Sequence, residues 1–85
     1  MIDRAALLNE ISTEVSRARI LYPKFNSLHE GYAVILEELD ELWDLIKASK
    51  EIRADDKMRL ECIQVAAMAV RFVEDLFERK RETDG

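Results

Sequence analysis

Proline occurs once in this chain, at Pro23, and glycine twice, at Gly31 and at the last residue, Gly85. Tight turns between strands draw on glycine and proline for backbone angles that other residues avoid, so a sequence this poor in both cannot supply an all-β fold. Helices remain. At 85 residues the chain makes one domain, too short for a dinucleotide-binding α/β fold or a barrel. The prediction is a single all-α domain over residues 1–85.

Pro23 lies in Leu21-Tyr22-Pro23-Lys24-Phe25-Asn26, where it removes a backbone donor and turns Tyr22 away from helical geometry. It ends a first helix over residues 3–21, within an N-terminal segment of residues 1–21. Ser27-Leu28-His29-Glu30 then has the S-x-x-E form of a capping box, which opens a second helix. Leu28, Tyr32, Ile35, Leu36, Leu39, Leu42, Trp43 and Ile46 recur at steps of three and four along one face, carrying that helix to about Ser49. Residues 49–56 are polar apart from Ile52 and Ala54, and Asp55 or Asp56 can cap a third helix running to about Lys80. Residues 27–80 are thus expected to form an antiparallel helical hairpin beside the first helix, a bundle of three main helices, while residues 81–85 fray.

Thirteen Lys and Arg against 18 Asp and Glu give 13 − 18 = −5, and a pI near 4.9 is the wrong sign for a nucleic-acid polymer as partner. With 48% apolar residues the chain is not a disordered tail, and 36% charged residues argue against a membrane protein. The longest wholly apolar run, residues 65–70, falls far short of the roughly 20 residues that span a bilayer. The start, Met1-Ile2-Asp3-Arg4, lacks a signal-peptide layout, and the lone Cys62 has no internal disulfide partner. A reducing, cytoplasmic setting is expected. A domain this small buries only about 60–65% of its unfolded surface. The stretch from Cys62 to Val70, apolar nearly all round, leaves more faces than one chain covers. Completion of the bundle by a second copy is therefore expected.

Charged residues mostly sit in water, and Glu37-Glu38-Leu39-Asp40-Glu41 read alone is a solvated acidic face. Val34, Glu38, Glu41 and Leu45, however, share one helical stripe, with apolar residues at both ends. Glu61 and Gln64 have the same three-residue spacing on the next helix, and Gln64 is the one polar residue between Cys62 and Val70. Facing residues of an antiparallel hairpin have numbers with a constant sum, which pairs Glu38 with Gln64 and Glu41 with Glu61 about a turn at Glu51. Carboxylates converging there repel one another unless a cation intervenes, and all-oxygen ligands select a hard ion such as Mg2+. A di-iron bundle needs Glu-x-x-His pairs, and the only histidine, His29, stands at the start of the second helix.

Glu37-Glu38-x-x-Glu41 followed by Glu61-x-x-Gln64 resembles the all-α nucleoside triphosphate pyrophosphohydrolases, most nearly the MazG-like proteins. The resemblance covers residues 25–76, including Asn26-Ser27-Leu28-His29-Glu30-Gly31-Tyr32 and Ile63-Gln64-Val65-Ala66-Ala67-Met68-Ala69-Val70-Arg71. It implies a dimer or tetramer that holds Mg2+ and cleaves nucleoside triphosphate with water to monophosphate and pyrophosphate, in housecleaning of nucleotide pools. It further implies that Glu38, Glu41 and Glu61 are metal ligands, that Gln64 stands in place of the family's aspartate, and that Glu37 and Glu41 act in catalysis, Glu37 by orienting water. Gln64 departs from the family pattern E-x-x-D, because an amide oxygen ligates a hard cation without adding charge.

The stripe through Gln64 and Met68 continues to Arg71 and Asp75, which makes Arg71 a candidate for contact with phosphate and Asp75 a neighbouring substrate-binding candidate. The plainer reading of Arg71 is an ion pair with Glu74, Asp75 or another chain. Asn26 and His29, near the start of the second helix, are candidates for substrate contact against a solvated reading. Tyr32, Trp43 and Met68 are read as packing, and Cys62 as a small core residue. The function expected is a magnesium-dependent nucleoside triphosphate pyrophosphohydrolase. The alternative is a non-catalytic helical module for oligomerisation or protein interaction.

Overall fold

The computed structural model describes residues 3–48 and 55–78, and among them every regular element is helical. The helices are α1 (Arg4–Leu21), α2 (Leu28–Lys47) and α3 (Asp55–Val73), the last passing into one π-helical turn, Glu74–Glu78. An all-α chain of three main helices is what the sparse punctuation dictates. The predicted connection from residue 49, the end of the third helix at Lys80 and the tail lie wholly or largely outside the described residues.

Local chemistry sets the helix starts. Asp3 caps α1, its carboxylate accepting from the Ala5 amide at 3.3 Å. Ser27 caps α2, its hydroxyl accepting from the Glu30 amide at 3.0 Å. The other arm of the capping box lands one residue early: Glu30 accepts from the Asn26 amide at 2.8 Å rather than from that of Ser27. The carboxylate thereby ties down the non-helical strap, residues 22–27, that Pro23 imposes.

The core is small. Val15 and Ala18 of α1, Phe25 of the strap, and Ala67 and Met68 of α3 are buried together, with Ile11, Val34, Ile35, Phe72 and Leu76 packed against them. Helices α2 and α3 meet in a consistent order: a Cβ on Gly31 would lie 2.5 Å from the Phe72 ring and 3.4 Å from Leu76. Farther along α2, Glu38 and Glu41 meet Glu61. Beyond them Asp44 and Leu45 share a hollow with Lys57 and Leu60.

Two packing expectations change. The apolar residues of α2 do not form one buried face: Leu28, Tyr32, Leu36, Leu39, Trp43 and Ile46 are 39% to 63% exposed, while Gly31, Val34, Ile35, Leu42 and Leu45 turn inward. Tyr32 and Trp43 are therefore more than half exposed, with Lys47 over the Trp43 ring, whereas Met68 is core as expected. Cys62 is exposed rather than core, because Ile63 and Ala67 take the inward positions of α3 and leave Cys62 on the outer side.

The third helix also departs from a single α-helix at Glu74. Arg19 of α1 engages both Glu74 and Asp75, its Nη1 donating to Asp75 Oδ1 at 2.8 Å. Successive residues of an α-helix point about 100° apart, so a wider turn helps both carboxylates reach one guanidinium.

Candidate functional site

A groove of about 580 Å³ runs between the three helices and the strap. One wall is acidic. Glu38 and Glu41, one turn apart on α2, and Glu61 on α3 each offer a carboxylate oxygen, and these oxygens all lie within 4.8 Å of one another. Octahedral Mg2+ with ligands at about 2.1 Å spaces them about 3–4 Å apart, so modest side-chain rotation closes the set.

No Lys or Arg among the described residues ion-pairs with these three carboxyls. Burial, the Glu61 hydrogen bond and the charges of Glu41, Glu61 and Glu37 push Glu38 from the ordinary 4.5 up to about 7. Glu41 is raised as well, by burial and by the Glu61 charge. Glu61 Oε2 is buried with no hydrogen-bond partner, a condition that folded proteins seldom impose on a polar atom. Crowded carboxyls, one holding its proton near neutrality and one with an idle buried oxygen, suit a hard divalent cation. The donor set fits Mg2+.

Gln64 lies on the same groove, and Glu37 lines it while remaining exposed. The register predicted from the sequence pairs Glu38 with Gln64. In the structure Glu61 engages both Glu38 and Glu41, and Gln64 lies against Glu14 of α1. Glu14 is gripped by Arg17 at 2.8 Å, its carboxylate side chain 12% exposed. Arg17, and more weakly the Gln64 amide, hold Glu14 below the usual carboxylate range. Only the amide nitrogen of Gln64 can donate to Glu14; its carbonyl oxygen is an acceptor.

At the strap end of the groove stands Arg71, buried to 2% exposure beneath Phe25. It makes no ion pair with Glu74 or Asp75, both of which belong to Arg19. Asp75 has a fully buried side chain and does not line the groove. Burial acts to raise its pKa, but the Arg19 hydrogen bond and the Phe25 amide, donating to Oδ2 at 3.1 Å, outweigh that and hold it low. Asn26 and His29 are exposed and do not line the groove either. The structure thus brings Glu37, Glu38, Glu41, Glu61, Gln64 and Arg71 to one groove and leaves Asp75, Asn26 and His29 outside it.

Sequence reasoning missed the contribution of α1 and the strap: Glu14, Arg17, Tyr22 and Phe25 also line the groove. The available signal was the Glu14/Arg17 pair at i,i+3 on α1, whose role depends on where that helix docks. Comparison with known protein families, with curated proteins and with solved structures returns no match.

Proposed function

We propose that the chain is a magnesium-dependent nucleoside triphosphate pyrophosphohydrolase, converting a nucleoside triphosphate and water to the monophosphate and pyrophosphate. The observation that carries this reading is the convergence of Glu38, Glu41 and Glu61 around the unpartnered, buried Oε2 of Glu61. In this reading Glu38, Glu41 and Glu61 would hold the metal, and the carbonyl oxygen of Gln64 would add a neutral ligand. Held there, Mg2+ would supply charge neutralisation for the phosphate chain and a more acidic water. Glu37, exposed at the groove, orients the water that attacks the α-phosphate, and Glu41 takes its proton. Met68, Val34 and Phe25 keep the groove apolar on its inner side, which strengthens the charged contacts made there. Asp75 supports the strap and has no substrate role here.

The proposal includes an antiparallel hairpin of α2 and α3, completed by a second copy that covers the exposed stripe from Leu28 to Ile46. An exposed, unpaired Cys62 suits a reducing, cytoplasmic setting. The same stripe favours a second reading, a non-catalytic helical module that presents it to a partner. Release of pyrophosphate from a panel of nucleoside triphosphates with and without Mg2+ decides between them, with light scattering for the oligomer. No release from any nucleotide by a folded oligomer leaves the module reading standing and the enzyme reading refuted.

A further inference from the structure

Arg71 is 2% exposed, yet no carboxylate among the described residues forms an ion pair with it. Its Nη2 donates to the Pro23 carbonyl at 2.9 Å, and its Nη1 meets the Met68 sulfur, a weak acceptor, at 3.4 Å. The Phe25 ring centroid lies 4.4 Å from the guanidinium carbon. Its Nε is buried and has no hydrogen-bond partner among the described residues. Asp75 is close enough to feel the Arg71 charge, but its hydrogen bonds go to Arg19 and the Phe25 amide, and Glu74 pairs with Arg19.

A guanidinium makes its hydrogen bonds in its own plane, and the Phe25 ring beneath its central carbon holds it by a cation–π contact. A buried cation with an idle donor is costly unless something else supplies the acceptor. The same groove gathers three carboxyls, Glu38, Glu41 and Glu61, a donor set that suits a divalent cation. A single carboxylate serves one of these two groups. A chain of linked phosphates presents oxyanions to both.

We propose that Arg71 forms an oxyanion subsite at the strap end of the groove, taking one phosphate group of a polyphosphate ligand, with its Nε–H as the donor that the ligand satisfies. The subsite rests on the pyrophosphohydrolase reading for the identity of the whole substrate, but it binds phosphate without metal. Pro23 and Phe25 are its positioning residues: one carbonyl anchors the guanidinium and one ring holds it by a cation–π contact.

The test adds inorganic pyrophosphate, and separately inorganic phosphate, to the full chain in EDTA, and follows arginine Nε–H resonances by NMR. Arg71 is assigned through its own side-chain connectivities. The expected result is a saturable shift of the Arg71 Nε–H with either probe, and a loss of pyrophosphate affinity of about ten- to hundred-fold in Arg71→Lys, which keeps the charge and loses the fork. Phe25→Leu, which removes the cation–π contact while keeping a core side chain, weakens binding to a smaller degree. An Arg71 Nε–H that does not move at millimolar pyrophosphate, or shifts confined to exposed arginines such as Arg17, overturns the subsite. The wild-type spectrum alone decides this, even if a variant fails to fold. Metal-free binding at Arg71 without hydrolysis of any nucleotide refutes the enzyme reading and keeps the subsite.

Discussion

Replacing Glu38 by Gln should stabilise the metal-free protein at pH 8 and leave it unchanged at pH 4. In the folded chain burial and the neighbouring carboxyls carry the Glu38 pKa from 4.5 to about 7. Between those values the folded state holds a proton that the unfolded state has released. The stabilisation is complete below pH 4.5 and disappears as pH rises through 7. At about 1.4 kcal/mol per pKa unit the whole interval amounts to about 3 kcal/mol. Glu38 is only half-buried on an open groove, so solvent screening reduces this to about 1–2 kcal/mol. Glutamine cannot ionise, and Glu38→Gln therefore keeps at pH 8 the stability that the wild type loses. For a domain of this size that is about 5–15 °C in Tm. Circular-dichroism melts of both proteins in EDTA, from pH 4 to 8.5, measure it, and their difference cancels titrations elsewhere. Millimolar Mg2+ should then raise the wild-type Tm at pH 8, since a ligand bound only by the folded state stabilises it, and should not raise that of the variant. Melting curves that run parallel across the whole pH range would refute the crowded-carboxylate account.

Gln64→Asp adds a charge beside Glu14 and the acidic wall, so the metal-free protein should lose about 1–3 kcal/mol, while Mg2+ binding strengthens. A Tm series against Mg2+ for both proteins checks this, and curves that stay parallel rule Gln64 out as a ligand. Gly31→Ala should destabilise the fold by about 1–3 kcal/mol through overpacking, because the new Cβ meets Phe72 at 2.5 Å. That outweighs the roughly 1 kcal/mol gained in helix propensity, and a higher urea midpoint for the variant would contradict it. Asp75→Asn should cost about 1–3 kcal/mol, because its buried carboxylate loses the Arg19 ion pair while Arg19, 30% exposed, keeps Glu74. Because the Asp75 pKa is depressed, its contribution is present above the ordinary aspartate range and fades as pH falls through the folded value. The Asp75→Asn penalty read by urea denaturation should accordingly be larger at pH 7 than at pH 2.5.

The end of α1 and the start of α2 were legible because their signals are local. Pro23 and Ser27 act within a few residues of where they stand, and no tertiary contact overrides them. The acidic wall was legible for a related reason: Glu38/Glu41 and Glu61/Gln64 are each one helical turn apart, and Val34 and Leu45 mark the stripe as inward. What the α1 helix brings was not legible. Its apolar residues, from Leu7 and Leu8 to Ile20 and Leu21, form no clean stripe, so nothing in their spacing says that Val15 and Ala18 pack inward and carry Glu14 and Arg17 to the groove. Arg19 with Asp75 is a pairing across 56 residues, which local period cannot anticipate. Arg71 was placed correctly along α3, but its depth was hidden by the general rule that charged side chains stay in water.

The π-helical turn at Glu74–Glu78 has a consequence for lineage as well as for packing. A π turn takes about one residue more than an α turn to cover the same rise, and behaves as a single-residue insertion absorbed without breaking the helix. A related chain lacking the bulge would keep the residues before Glu74 in register and carry every later one rotated by about 100°. Its sequence would align through this segment only with a gap placed inside a helix. The loss or gain of one codon there would decide whether Asp75 faces Arg19, and with it whether the strap beneath which Arg71 lies has its anchor.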